Sequence, residues 1–262
     1  MIVHDLNFGL AGGRPLGQAS ESWGGRARRS FYGLRSKNLD RIITVSEASR
    51  VALLESGVRD EKIAVIPNGV DTQLFQPDPE WCPGETVEFA YPSRILPGKG
   101  QHLAIDAMAR LPRNLKKRVA LHIVGASTDP VYLDQIRVQA YDQPVRFSVD
   151  VPGMVPHIQA ADAVLFPSVM AEGFGLTAVE AMACGKPVIW SDQPAIREAT
   201  GGIGIPVPVG DVTAIRAAMR QLMENPEEAM ALGQQGREYV EMNHSWDGVW
   251  ERYERVLGAV IR

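Results

Sequence analysis

The residues with the clearest chemical potential lie in the stretch AEGFGLTAVEAMACGKPVI, which starts at residue 171. Glu172 and Glu180 stand on either side of Gly173-Phe174-Gly175 and of the start of a helix that the pattern predicts from Leu176 to Cys184, ended by Gly185 and Pro187. Two carboxylates flanking a bond can act as acid and base, as in glycoside hydrolysis. A helix start, with free N–H groups and roughly half a positive charge, suits a phosphate instead. Glu180 lies too far inside the helix to be a cap, and Glu172 in front of it would repel a phosphate at close range. Both acids make sense together as acceptors for hydroxyl groups, which means a sugar. Taken singly, Glu180 reads as a surface helix residue and Glu172 as a turn acid.

A second cluster, Ser93-Arg94-Ile95-Leu96-Pro97-Gly98-Lys99-Gly100, follows one predicted strand and opens a helix. It fails as a P-loop, because Ser93 stands where the first glycine belongs and Gly100 where Ser or Thr belongs. Arg94 and Lys99 still make a good diphosphate clamp, a fork of donors beside a mobile point charge. The plainer reading of this segment is a solvent-facing loop. A glycosidase pair would explain neither these cations nor the helix start. The chain has no GxSxG and no Cys/His nucleophile signature. Gly201-Gly202-Ile203-Gly204 leads into a strand rather than out of one, so it is not a dinucleotide fingerprint.

The elements that must position these residues form a regular series from residue 87 onward. Apolar strands are predicted at 87–92, 119–125, 144–149, 163–167, 187–190 and 203–207. Helices are predicted at 101–111, near 131–141, near 154–160, and at 175–184, 211–224, 226–242 and 246–261. Short apolar strands alternating with helices predict an α/β fold with a doubly wound parallel sheet. Ligands bind such sheets beyond the carboxyl ends of the strands. The loops to watch are therefore 93–100, 125–130, 149–154 and 167–175. Before this region come strands at 41–46 and 63–66 and a helix from Ser46 to about Glu55. Residues 76–86 (QPDPEWCPGET), with three prolines, read as the edge of a linker. Ile2-Val3-His4-Asp5 reads as the end of a buried strand, as though the chain started midway through a domain.

Composition narrows the class. With 262 residues, 45% hydrophobic and 22% charged, the chain can bury one large or two ordinary cores. A net charge of −4 argues against a nucleic-acid partner. Residues 1–50 nevertheless carry eight Lys/Arg against four Asp/Glu, with Arg26, Arg28, Arg29, Arg35, Lys37 and Arg41 making up most of the excess. That segment reads as a solvated helix face, or as a contact for an acidic acceptor or an anionic membrane surface. Cys82 and Cys184 lack any CxxC spacing, which excludes a zinc framework and fits a reducing, cytoplasmic compartment. No apolar run approaches the ~18 residues of a membrane span.

These residues resemble one family, the retaining, nucleotide-sugar-dependent glycosyltransferases of GT-B fold in the group-one (family four) class. EGFGLTAVEAMACGKPVI is similar to its E-x7-E donor motif, and SRILPGKG to its Arg…Lys diphosphate loop. VSEASR, IPNGVDTQLF, ADAVLFPS and HSWDGVWERYERVL resemble further segments in the same order. The resemblance implies a GT-B-like architecture: a Rossmann-like carboxy-terminal donor domain at 87–245 and a partial amino-terminal Rossmann-like acceptor-side domain at 1–65. A linker at 66–86 would join them, and a final helix at 246–262 would cross back to the amino-terminal part. It also implies roles. Arg94 and Lys99 would neutralise the donor diphosphate, with backbone amides from Leu176 and Thr177. Glu180 would bind the ribose, and Glu172 with the Gly173, Phe174 and Gly175 backbone would hold the transferred sugar. Gly125 would lie close to the donor, and His4 would face the reacting sugar or acceptor. No metal or other cofactor is implied. Partners would be a nucleotide-sugar donor and a glycan, lipid or small-molecule hydroxyl acceptor. VDVPGMVPHI departs from the family's Gly-containing turn near the base, which leaves the base open. Two other readings remain at this point: a catalytically incompetent donor-binding fragment or half of a two-chain enzyme, and a sugar-nucleotide epimerase of similar fold.

Overall fold

The computed structural model describes residues 2–3 and 38–260. Two parallel sheets organise the chain. The smaller holds strands β1 (Ile2–Val3), β2 (Ile42–Thr44) and β3 (Ile63–Val65) in that order, with Ile2 opposite Ile43 and Ile43 opposite Ala64. Helix α1 (Glu47–Glu55) connects β2 to β3. Its start is fixed by Ser46, whose Oγ accepts from the Ser49 amide at 3.1 Å and satisfies one of the helix's orphan donors.

The larger sheet begins with β4 (Val87–Pro92), followed by α2 (Gln101–Ala109), a short α3 (Arg113–Lys116) and β5 (Val119–Gly125). Then come α4 (Pro130–Gln139), β6 (Val145–Val149), α5 (Val155–Gln159) and β7 (Ala163–Phe166). Helix α6 (Leu176–Ala183), β8 (Val188–Ser191), α7 (Pro194–Thr200) and β9 (Ile205–Val207) follow. Helices α8 (Val212–Glu224), α9 (Pro226–His244) and α10 (Trp246–Val260) complete the described chain.

The strand order is β6-β5-β4-β7-β8-β9 and every pairing is parallel. The apolar runs AVLF and VIWS are buried along their whole length, as strands covered by helices on both faces must be. Side chains alternate between two cores. Phe89, Tyr91, Leu121, Ile123, Leu165 and Ile189 fill one, while Ala90, Val164, Phe166, Val188 and Trp190 fill the other. Each fully buried side chain of this size contributes roughly 1.5–3 kcal/mol.

Helix α7 lies where the sequence pattern passes directly from one strand to the next. Its seven residues are too few to show a 3.6-residue period. Its punctuation is nonetheless in the sequence, with Pro194 in the first turn and Gly201 just past the end at φ +60°.

The chain runs outward from β4 to β6 and then returns to the other side of β4 at β7. That reversal makes the loops after β4 and β7 the walls of a crevice. Helix α10 lies back on the smaller sheet, where Val249, Tyr253 and Val256 pack with Ile43 and Ile66. The Val70 amide bonds the His244 carbonyl at 2.7 Å, tying the two segments that run between the sheets.

Candidate functional site

The loops after β4 and β7 are bound to each other through backbone. The Gly98 carbonyl accepts from the Val169 and Met170 amides, both at 2.9 Å, and from Ser168 Oγ at 3.2 Å. Gly100 sits at φ +85°, and a Cβ there would lie 2.5 Å from the Pro167 carbonyl oxygen, so only glycine lets the loops meet. The buried Gln101 side chain donates to Ser93 Oγ at 2.9 Å and the Arg94 carbonyl at 2.8 Å. Tyr91 hydroxyl donates to the Lys99 carbonyl. The backbone around both predicted cations is thus fixed from below.

A cleft of about 460 Å³ opens above these loops. Arg94, Lys99, Glu172, Gly173, Phe174, Gly175 and Leu176 all line it, together with Asn68, Gly69, Met170, Ala171 and Trp246. Lys99 Nζ meets Glu172 Oε1 at 2.6 Å, and both side chains are almost nine-tenths buried. This pair answers the difficulty of an acid in front of an anion seat, since Glu172 is neutralised in place. The Arg94 guanidinium is exposed and has no polar partner among the described residues. Among the described residues it stands as a free cation at the cleft's edge.

Glu172 is held in register by Gln193, a residue to which the sequence reading assigned no role. The Gln193 Oε1 accepts from the Glu172 amide at 3.0 Å, and its Nε2 donates to the Ser168 and Met170 carbonyls at 2.9 and 3.0 Å. The Gly173 carbonyl accepts from Ser46 Oγ at 2.7 Å and Ser49 Oγ at 3.4 Å, so the smaller sheet's helix grips the same turn. A second link joins the parts where the Glu47 amide donates to the Glu198 carboxylate at 2.8 Å.

Helix α6 begins at Gly175 with no side-chain cap and no acid in its first turn. The Ala178 and Val179 amides return to the Gly175 carbonyl, leaving those of Leu176 and Thr177 for a ligand. Phe174 is buried, its ring edge-on to His244 at 5.5 Å, so its side chain anchors the turn that forms this wall of the cleft. Glu180 follows one helical turn after Leu176 but does not line the cleft itself. Burial pushes its carboxyl up to about 7. Gly125 ends β5 at φ +151°, and a Cβ there would lie 1.9 Å from the Ser93 carbonyl oxygen. That contact gives Gly125 a packing reason of its own. His4 lies outside the described residues.

Asn68, Gly69 and Trp246 also escaped assignment. A Cβ on Gly69 would sit 2.6 Å from the Trp246 ring, so the indole covers this glycine at the cleft's far wall. Pro67-Asn68-Gly69 reads as a turn by composition, but nothing near it in sequence announces the distant indole. Among the described residues, no group of three or more His, Cys, Asp or Glu is placed to hold a metal ion. No described helix is long and apolar enough to cross a membrane.

The family model for glycosyl transferases group 1 matches residues 78–239, and that for glycosyltransferase family 4 matches residues 3–74. The chain belongs to the group-one glycosyltransferases. The chain is 32% identical over 203 residues to the GDP-mannose-dependent alpha-(1-6)-phosphatidylinositol monomannoside mannosyltransferase of Mycolicibacterium smegmatis, a match covering 69% of this chain and 52% of that protein. It is 30% identical over 224 residues to the D-inositol 3-phosphate glycosyltransferase of Kineococcus radiotolerans, covering 74% and 51%. HepE of Anabaena, solved in complex with UDP, superposes with a TM-score of 0.84 over 98% of this chain and 71% of that one at 22% identity. The chain thus has the GT-B fold, and it spans about half the length of these two curated relatives.

Proposed function

We propose that the protein moves a hexose-type sugar from a nucleoside diphosphate sugar to a hydroxyl acceptor with retention of anomeric configuration. The observation that carries this reading is the buried Lys99–Glu172 pair beside the exposed Arg94 guanidinium, at the sheet's switch point and against an uncapped helix start.

In this reading Arg94, Lys99 and the Leu176 and Thr177 amides meet the diphosphate. Breaking the sugar–phosphate bond places negative charge on the leaving phosphate oxygen, where such donors stabilise it most. The acceptor oxygen forms the new bond to the anomeric carbon on the face that the diphosphate leaves. The leaving oxygen then takes the acceptor proton, so the step balances without an added base. Glu172 accepts hydroxyls of the moving sugar while sharing Lys99 with the phosphate. Glu180, reached when the nucleotide lies along α6, accepts from the ribose. This reading requires no metal.

The base stays open, because the M. smegmatis relative is named for GDP-mannose and the Anabaena structure holds UDP. Titrating UDP, GDP and ADP into the full chain by calorimetry, followed by turnover with the matching sugar nucleotides and determination of product anomer by NMR, tests the proposal. Binding of one diphosphate, about tenfold weaker in Glu180→Ala, and an anomer matching the donor's are expected. Failure of all three to bind overturns the reading, and equal affinity in Glu180→Ala removes the ribose assignment. A second reading is a donor-binding module without turnover of its own, because Arg94, Lys99, Glu172 and the α6 start all come from the larger sheet's side of the cleft. Binding without turnover would favour that reading.

A further inference from the structure

A second cavity of about 540 Å³ lies at the opposite end of the larger sheet from the cleft, where β4, β7 and β8 begin. Its size is within the ~300–1,000 Å³ of small-molecule sites. Its walls are apolar: Trp81 and Pro83 from the segment between the sheets, Val87, and Leu222, Met223 and Met230 from α8 and α9. Into this lining is set Lys186, only 4% exposed, with its Nζ 3.8 Å from the Trp81 ring centroid.

Lys186 has no hydrogen-bond acceptor and no carboxylate at ion-pair distance among the described residues. Its acidic neighbours, Asp162 and Asp78, act on it only from beyond ion-pair distance, and each holds a backbone amide. Asp162 accepts from the Glu88 amide at 2.6 Å, and Asp78 accepts from the Glu80 amide at 2.9 Å. The other cations at the cavity are held by backbone carbonyls. Arg118 donates to the Glu85 carbonyl, and Arg237 donates to the Phe75, Ala183 and Thr72 carbonyls and pairs with Glu241. An ammonium with its N–H groups unspent in apolar surroundings is costly, and an anionic acceptor relieves that cost. Burial pulls Lys186 down to about 8, which still leaves it mostly charged at pH 7.

We propose that this cavity is a second ligand site, which takes a small amphipathic anion whose apolar body fills the Trp81–Met230 lining and whose single carboxylate meets Lys186. Helix α6 links the two sites, since its first residue lines the cleft and Cys184, just past its end, lines the cavity.

The test is calorimetric titration of the full chain with octanoate at pH 7, repeated with octan-1-ol. Saturable one-to-one binding of octanoate is expected, about tenfold weaker for the alcohol and about tenfold weaker in Lys186→Met. Absence of saturable binding, equal affinity for acid and alcohol, or equal affinity in wild type and Lys186→Met would each overturn the proposal. Should Lys186→Met not fold, Ala229→Trp, which narrows the cavity from its wall, decides in its place. Loss of octanoate binding in that variant supports the site, and retained binding overturns it.

Discussion

Lys99 and Lys186 occupy opposite poles of one sheet, both buried and both next to a glycine, yet their surroundings differ in kind. Lys99 stands in a polar crevice whose backbone is bonded from below, and its ammonium is paired with Glu172 at 2.6 Å. Lys186 stands in an apolar cavity, on the face of Trp81, with its nearest acids bonded to backbone amides instead. The contrast shows that burial alone does not define a lysine's part in a structure. At one pole the cation belongs to the fold's own charge pairing, and at the other it has no direct acceptor among the described residues and feels its acids only at longer range.

The strongest way to break this comparison is to remove each ammonium while keeping its stem. Lys99→Met leaves Glu172 buried without its counter-ion, and breaking a buried pair from one side costs about 3–5 kcal/mol. Urea unfolding should show that loss as a lower midpoint with unchanged slope. Glu172→Gln placed in the same chain should recover most of it, because the stranded charge is then gone. A Lys99→Met cost below about 1 kcal/mol would mean that the pair is no more than a surface contact.

Glu180 sharpens the comparison from the acidic side, for among the described residues it is a carboxyl with no hydrogen-bond or ion-pair partner. Burial raises its folded pKa to about 7, above the unfolded value. Below about pH 4.5 the group is protonated in both states and imposes no penalty. As pH rises from there through about 7, the folded state must hold a charge that the unfolded state carries freely, and stability falls. Glu180→Gln should therefore raise stability by about 2 kcal/mol at pH 8, and the gain should vanish below pH 5. Thermal melts across that range check it, and a gain that stays constant with pH would show that the carboxyl is not the cause. The same substitution should weaken nucleotide binding at pH 8, the signature of a group kept for a ligand at a cost to the fold.

Much of this architecture is legible in the sequence, for a physical reason. Strands covered on both faces read as apolar runs such as VALHIVG and AVLF, and loops at their carboxyl ends collect glycine, proline and charge. Arg94, Lys99 and Glu172 could thus be assigned to neighbouring loops, and the structure does bring them into one cleft. Partnerships across sequence are not legible. Lys99 and Glu172 are 73 positions apart, and nothing local says that they pair. Gln193 is one amide in a short loop, and its three bonds to the 168–172 turn exist only once β8 lies beside β7. Trp246 on Gly69 needs the return of the last helix.

The smallest expected effect completes the contrast. The folded pKa of Lys186 is depressed to about 8, so the group is neutral in both states only above about pH 10.5. As pH falls from there through 8, the folded state must bury a charge, and the full penalty is present at pH 7. Lys186→Met removes that penalty but also removes the contact with Trp81, itself worth about 0.5–2 kcal/mol. The two terms nearly offset, so the variant should equal wild type or exceed it by up to about 1 kcal/mol at pH 7. The ordering of the two lysines is the sensitive quantity, not either value. If Lys186→Met costs as much as Lys99→Met in the same urea titration, then Lys186 has an acidic partner in solution, and the two poles of the sheet hold their cations in the same way.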